Sequence, residues 1–176
     1  MNRGQLEHVP RASAAIANET SFVVLGIQAV LPSFTGAPAA LLVSREVDLC
    51  PAFHPEKSDL IDGAIGAMSS SHETFGYHAD GVVPETAVMP VDWMSRASLH
   101  YIGEITAICP EIHCLAVSKC VAVREKDAGF VGVLLREHMI EATTPEQRIR
   151  QLDPSCNPVG TIVAWARRRA AEAATP

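Results

Sequence analysis

The chain has 176 residues, a length suited to one domain, and its 48% hydrophobic and 19% charged residues are typical of a globular protein with a core. Its formal net charge of −6 disfavours broad, non-specific nucleic-acid binding, although a local basic channel stays open. The sequence has no apolar run of the roughly 18–20 residues that a membrane helix needs, and no signal-peptide pattern, so we expect a cytoplasmic protein with no membrane partner.

The predicted elements begin with a helix over 5–17, whose apolar residues recur at helical spacing around Pro10. A short buried strand at 22–25 ends at Gly26 and precedes a short helix. The next expected elements, in order, are a short helix at 28–31, a strand within 41–50, a helix at 54–68, a linker at 69–71, and strands at 73–78, 86–89, 99–102 and 105–108 with a turn at 80–81.

After residue 110 the sequence turns helical. The pattern predicts four helices, at 111–123, 128–137, 145–152 and 158–173. Strands and helices first, followed by helices alone, indicate an α+β fold. We expect an α/β core at 1–109 and a helical C-terminal part at 110–176, packed on it as a single compact unit.

An acidic pair interrupts the apolar strand. Glu46 and Asp48 stand two residues apart, so on a strand their carboxylates point to the same side. Two like charges at that spacing are costly unless a cation lies between them, and Mg²⁺ prefers such oxygen ligands. The alternative is a solvated strand edge on which the two acids only increase solubility.

Two further segments are candidates for the same site. The turn at Gly26 has backbone N–H groups that suit a phosphate, but taken alone a plain tight turn is the better explanation of this glycine. Lys119 lies in an otherwise apolar helical stretch, where a cation either faces a polar cleft or reaches solvent.

Together these segments resemble the DNA polymerase β-like nucleotidyltransferase superfamily, in particular its minimal bacterial members of the abortive-infection and toxin–antitoxin type. The resemblance spans about 22–130 and depends on the order of four segments. They are Phe-Val-Val-Leu-Gly-Ile-Gln-Ala-Val at 22–30, Ser-Arg-Glu-Val-Asp-Leu at 44–49, Val-Met-Pro-Val-Asp-Trp-Met-Ser-Arg at 88–96 and Leu-Ala-Val-Ser-Lys-Cys-Val-Ala-Val-Arg-Glu-Lys-Asp at 115–127.

The resemblance implies a nucleotidyltransferase-like mixed β-sheet flanked by helices, and transfer of a nucleoside monophosphate from a nucleoside triphosphate to a hydroxyl acceptor. Glu46 and Asp48 would ligate Mg²⁺ or Mn²⁺. The other implied contacts are Gly26 and Gln28 to the triphosphate, and Lys119, Arg124 and Lys126 to phosphate or base. Asp127 would orient these cations or, in the interpretation we favour, cap the following helix.

Two positions depart from the family pattern. Ile27 stands where the family has a serine after the glycine, and Ala87 stands where it has a third carboxylate. Glu85 would share a strand face with position 87 and is therefore the expected substitute as a catalytic group, with Asp92 as a second candidate. Without a third acid the enzyme would lack its usual acceptor-activating base.

Two other functions remain open. One is a catalytically decayed member that binds nucleotide, RNA or a partner protein. The other is a zinc hydrolase. Several histidines suggest it, although none has the H-x-x-x-H spacing of a helical zinc site. The histidines concerned are His54, His72, His78, His100 and His113.

The partners implied are a nucleoside triphosphate, an RNA or protein acceptor and a cognate antitoxin, and apolar helices near the C-terminus leave a homo-oligomer open. Arg167, Arg168 and Arg169 could touch RNA, but as the end of an amphipathic helix they are better explained as solvated or as complementing the helix dipole. No C-x-x-C occurs among the five cysteines, which we expect to be mostly buried free thiols.

Overall fold

The computed structural model describes residues 1–34 and 36–175 and has the expected α+β class. Its strands are β1 (Ser21–Val24), β2 (Glu46–Pro51), β3 (His78–Gly81), β4 (Ser98–Ile102) and β5 (Ile105–Cys109). Its α-helices are α1 (Arg3–Ala17), α2 (Ser58–Ile65), α3 (Ser70–Phe75), α4 (Ile112–Ala122), α5 (Glu125–Arg136), α6 (Thr143–Ile149) and α7 (Val159–Ala173). Among the described residues, no helix combines the length and apolarity that crossing a bilayer requires.

Contacts divide the chain into two compact units. The first comprises Met1–Thr86 and Ala97–Pro110, and therefore holds all five strands with α1, α2 and α3. The second comprises Ala87–Arg96 and Glu111–Pro176, and holds α4 to α7. Residues 87–96 thus belong with the helical unit, although they precede β4 and β5 in the chain.

The first unit is built on one mixed sheet with strand order β3-β2-β1-β5-β4. The central strand β1 runs antiparallel to β2 and parallel to β5. At one edge β3 runs parallel to β2, and at the other β4 runs antiparallel to β5. A parallel neighbour requires a crossover connection, and α2 and α3 supply it between β2 and β3.

Helix α1 begins where the sequence carries a capping signal. Asn2 accepts a hydrogen bond from the N–H of Gln5, whose side chain in turn accepts from the N–H of Asn2. This reciprocal cap starts the helix two residues before the predicted position of 5. Leu6 and Val9 are buried, and Pro10 lies inside the helix without ending it.

The second unit forms four helices as predicted, with α5 starting earlier than expected. Asp127 accepts from the N–H of Arg124 at 3.3 Å and from its Nε at 2.8 Å, so it caps α5 and binds the preceding cation at once. Trp165 is buried on α7, with the Arg169 guanidinium 5.3 Å from its ring centroid. Arg167 is bound to Glu146, so this arginine has a protein partner.

Residues 73–78 differ most from prediction, because a helix occupies the first half of the expected strand. The aromatic residues Phe75 and Tyr77 favoured a strand. However, Ser69 accepts a hydrogen bond from the N–H of His72 at 3.1 Å, which starts α3, and Gly76 ends it at a φ of 73°. Ser69 is thus a helix cap rather than part of a linker.

The strand β3 runs through the residues predicted as a turn. Asp80 and Gly81 continue in register with β2, since a parallel partner extends the strand past the Asp-Gly turn signal. The strand expected at 86–89 is absent from the described residues: a 3-10 helix covers Pro84–Thr86, and no regular element follows directly. The strands predicted at 99–102 and 105–108 are confirmed as β4 and β5.

The five cysteines are free, and all except Cys156 are buried. Burial raises the pKa of Cys109 to about 12, and burial together with the charge of Asp127 does the same for Cys120. A thiol that stays protonated is a poor nucleophile, so these two cysteines are core residues rather than reactive groups.

Helix α4 ends at a strained residue, which gives a stability prediction. Val123 has φ 54° and ψ 22°, a left-handed conformation that a β-branched side chain disfavours. Because its side chain is half exposed, little packing is lost on truncation. We expect Val123→Gly to raise the free energy of unfolding by about 1 kcal/mol, measured by urea denaturation.

The matched control is Val43→Gly, because Val43 is exposed and is not among the described residues with positive φ. There the added backbone freedom of the unfolded chain should lower stability or leave it unchanged. An equal gain in both variants would mean that relief of backbone strain is not the cause.

Candidate functional site

The acidic pair lies on one side of β2, as the sequence predicts. Val47 and Leu49 are fully buried, whereas Glu46 and Asp48, which alternate with them, are half-buried. Side chains at i and i+2 share a strand face, so both carboxylates lie opposite the apolar core side of the strand.

The neighbouring strand β3 adds an imidazole and a third carboxylate to this side. In the parallel register His78 is the partner of Glu46, and Asp80 is the partner of Asp48. The fully buried Ala79 pairs with Val47 on the core side. We name the four residues Glu46, Asp48, His78 and Asp80 the β2–β3 polar face.

Three members of the β2–β3 polar face come within metal-binding reach of one another. One ligand atom from each of Glu46, His78 and Asp80 lies within 4.8 Å of the other two. Nε2 of His78 is 3.4 Å from Oδ1 of Asp80, and its Nδ1 is buried without a hydrogen-bond partner among the described residues. A bound cation would neutralise the carboxylates and use an imidazole nitrogen, so these residues fit a divalent metal.

Gly26 lies directly against the second acid of the pair. A Cβ added at Gly26 would be 2.6 Å from Oδ2 of Asp48, closer than a real Cβ approaches an oxygen. Position 26 therefore accepts only glycine while the carboxylate holds this place. Its φ of −75° is ordinary, so the requirement comes from this close approach and not from the backbone.

Gln28 is placed differently from its predicted role at the triphosphate. It is fully buried in the 3-10 helix Ile27–Val30, with Nε2 3.4 Å from the carbonyl oxygen of Ser44 and Oε1 unpaired within the part of the chain described. A fully buried amide does not contact a ligand in this conformation. Ile27, at the position of the missing serine, is half-buried.

Glu85 is not on a strand, so the argument that it shares a strand face with position 87 is wrong. It lies exposed in the 3-10 helix Pro84–Thr86. Burial, with a contribution from the charge of Glu85, raises the pKa of the Cys50 thiol to about 11, which places the carboxylate near the end of β2. The acid that β3 brings into register with Asp48 is Asp80.

The predicted cations and the second candidate acid belong to the helical unit. Lys119 is buried on α4, whereas Arg124 and Lys126 are exposed around the start of α5. Asp92 forms an ion pair with Arg96, which lowers the pKa of Asp92. Ala87 belongs to the same unit.

The sequence interpretation did not place His78 and Asp80 beside Glu46 and Asp48, because it named His78 only for the zinc alternative and assigned Asp80 to a turn. Their spacing, His-Ala-Asp, repeats the Glu-Val-Asp alternation of β2, and that repetition was the available signal. The segment was instead split between an aromatic strand and an Asp-Gly turn, which separated the two residues. The structure also brings the rings of His72 and His78 to 4.5 Å between centroids.

Comparison with known proteins identifies no relative of the chain. No protein-family model matches the chain, and searches of curated proteins and of solved structures give no significant match. The functional argument therefore depends on the geometry of the β2–β3 polar face and on the motifs in the sequence.

Proposed function

We propose that the chain is a divalent-metal-dependent nucleotidyltransferase that moves a nucleoside monophosphate from a nucleoside triphosphate to a hydroxyl acceptor. The observation that carries the proposal is the register of β2 and β3, which sets Glu46 and Asp48 beside Asp80 on one side of the sheet. Three carboxylates on two strands, next to a glycine that follows β1, support the proposal, with Asp80 in place of the acid that the resemblance implies at position 87.

In this proposal Glu46, Asp48 and Asp80 hold Mg²⁺ or Mn²⁺. When bound, the metal supplies charge stabilisation for the triphosphate as pyrophosphate leaves. The backbone at Gly26 lies against Asp48, so it limits where that carboxylate can turn. Asp80 takes the role that the sequence assigned to Glu85 or Asp92, a carboxylate that accepts the proton of the attacking hydroxyl.

The phosphate or base contacts that the resemblance implies fall on cations of the second unit, and each is described there by itself. Lys119 is the strongest candidate, because a buried ammonium is costly to desolvate and therefore marks a polar environment. Arg124 and Lys126 are exposed and accessible to a polyanionic substrate. An RNA, a protein hydroxyl or a small molecule serves as acceptor, and an antitoxin protein would be the regulatory partner.

Incubation with labelled nucleoside triphosphates, Mg²⁺ or Mn²⁺, and total RNA or protein tests the proposal. We expect label transfer that falls more than about 100-fold in Asp48→Asn and in Asp80→Asn, since even residues behind metal ligands cost 10–100-fold. Glu85→Gln should retain activity, because Glu85 lies on an exposed turn. Asp59→Asn, an exposed acid on α2, is the control for altered surface charge.

A decayed, nucleotide-binding member is the second candidate, favoured by Ile27 and by the burial of Gln28. Metal-dependent nucleotide binding without label transfer would support it and reject the enzyme. If the chain neither transfers nor binds nucleotide, both nucleotide functions are rejected.

A further inference from the structure

We propose that Glu46, His78 and Asp80 form a binding site for a transition-metal ion, with Zn²⁺ bound more tightly than Mn²⁺ and Mn²⁺ more tightly than Mg²⁺. The site shares Glu46 and Asp80 with the proposed transferase centre. It differs from the oxygen-only Mg²⁺ site that the sequence implies, because it includes an imidazole. Ion binding here does not require any transfer reaction.

The backbone geometry holds the three ligands close to binding positions. Glu46 and His78 are partners in the β2–β3 register, and Asp80 follows His78 at i+2 on the same side of β3. Their candidate ligand atoms are no more than 4.8 Å apart. Two ligands at about 2.2 Å on opposite sides of one ion are about 4.4 Å apart, so binding needs shifts of a few tenths of an ångström or more, within side-chain reach.

The ligand types select the ion. Mg²⁺ takes oxygen ligands in a strict octahedron and keeps several waters, whereas imidazole nitrogen suits Zn²⁺ and other transition metals. For a site of nitrogen and oxygen ligands, affinity rises from Mn²⁺ towards Zn²⁺. One imidazole with two carboxylates is therefore a site for a transition metal.

An unsatisfied polar atom independently indicates a missing ligand. Nδ1 of His78 is buried and has no hydrogen-bond partner among the residues described, while Nε2 is 3.4 Å from Asp80. A buried polar atom without a partner is rare because it forfeits its bond to water. An ion bound to one ring nitrogen satisfies that nitrogen. The neutral ring of His78 then needs a hydrogen-bond acceptor only for the N–H at its other nitrogen.

The second imidazole at this site is a neighbour rather than a ligand. His72 lies with its ring centroid 4.5 Å from that of His78, but its Nδ1 accepts a hydrogen bond from the N–H of Met68 at 3.1 Å. The neutral ring of His72 therefore carries its proton on Nε2, where it acts as a donor. Three protein ligands then leave coordination positions for water or a phosphate oxygen, as in catalytic rather than structural metal sites.

Isothermal titration of the whole chain with ZnCl₂, MnCl₂ and MgCl₂ tests the inference. We expect one equivalent of Zn²⁺, bound at least ~100-fold more tightly than Mg²⁺, with Mn²⁺ between them. His78→Gln should weaken Zn²⁺ binding by at least ~100-fold. His54→Gln is the matched control, because His54 is an exposed histidine of the same unit whose Nδ1 is 2.9 Å from Glu19.

Cysteines are the main competing Zn²⁺ ligands, and two further measurements separate them. Cys156→Ser, which removes the exposed thiol, should leave the affinity unchanged. Co²⁺ bound to the wild-type chain should show d–d absorption without a thiolate-to-metal charge-transfer band. If His78→Gln does not fold, the Co²⁺ spectrum and Asp80→Asn, which should also weaken Zn²⁺ binding, decide the question.

Equal Zn²⁺ binding by the wild type and a folded His78→Gln, a thiolate band with Co²⁺, or Mg²⁺ bound as tightly as Zn²⁺ would overturn the inference. These outcomes are distinct from failure of the transferase proposal. Label transfer with Mg²⁺ and no Zn²⁺ preference rejects only the transition-metal site, whereas tight Zn²⁺ binding without label transfer rejects only the enzyme.

Discussion

Gly81→Ala is expected to lower the free energy of unfolding by about 3 kcal/mol, the larger of the stability losses that the structure predicts. An added Cβ at Gly81 would meet the carbonyl oxygen of Ser58, 2.8 Å from the carbonyl carbon, and would lie 3.2 Å from Cβ of Asp62. The carbonyl oxygen and carbon of Ser58 are backbone atoms at the start of α2, so a side-chain rotation cannot relieve the contact. Either β3 or α2 has to move.

Denaturation in urea measures this loss. Its control is Gly63→Ala, a glycine substitution on α2, the helix that Gly81 contacts. An added Cβ at Gly63 meets nothing within 4 Å, so alanine there should stabilise the helix by about 0.5–1 kcal/mol. The contact between α2 and β3 would be unimportant if Gly81→Ala proved as stable as the wild type. Since Gly81 follows Asp80 directly, the same variant should also weaken metal binding at the β2–β3 polar face.

Arg148→Met is expected to cost about 2 kcal/mol at pH 7 and almost nothing near pH 2. Glu111 caps α4, forms an ion pair with Arg148 and is hydrogen-bonded to His113. Burial alone raises the pKa of Glu111, but the hydrogen bonds from Arg148 and His113 outweigh it and lower the pKa to about 2. Arg148 also donates to the sulfur of the buried Cys114 at 3.1 Å, so its loss removes a hydrogen bond from each of two partners.

The pH dependence follows from the lowered pKa of Glu111. The carboxylate is more acidic in the folded chain than in the unfolded one, so its contribution is complete above about pH 4.5 and is lost as the pH falls towards 2. At 1.36 kcal/mol per pH unit the whole lowering is worth ~3 kcal/mol. The share that comes from His113 remains in Arg148→Met, and solvent screens a partly exposed pair, so the expected loss is about 2 kcal/mol.

Stability curves measured by denaturation from pH 2 to pH 7 for both proteins test this. The control is Arg150→Met at the C-terminal end of α6, the helix that also contains Arg148. It removes an exposed ion pair to Glu146 and should change stability by less than about 0.5 kcal/mol. A difference between wild type and Arg148→Met that persists unchanged at pH 2 would show that packing, not the charge pair, is responsible.

Much of the fold was predictable because local signals and tertiary contacts agree. The segments 99–102 and 105–108 are short runs with aromatic or β-branched residues, and both form strands. In the second unit α5 buries Phe130, Val131 and Leu134 on one face, as helical spacing predicts, whereas α4 is buried continuously over 114–120. The α+β class follows from the order of these elements.

The remaining errors have two causes, which are competing local signals at α3 and, at β3, a strand pairing that overrode the local turn signal. Ser69 and Gly76 carried helix start and stop signals, but Phe75 and Tyr77 favoured a strand. No local pattern showed that β3 would lie parallel to β2, and only that pairing turns His78 and Asp80 into neighbours of Glu46 and Asp48. The acidic pair on β2 was therefore predictable from the sequence, whereas the contribution of β3 to the candidate site was visible only in the structure of the sheet.

The position of β3 at an edge of the sheet has a consequence for the dynamics of the site. In the sheet β3 is hydrogen-bonded to β2 alone, so it can detach without breaking the pairing of β1, β4 and β5. Local opening of this strand separates His78 and Asp80 from the acids of β2. A ligand that bridges both strands acts as a cross-strand staple, and its binding should slow amide hydrogen exchange in β3 more than anywhere else in the sheet.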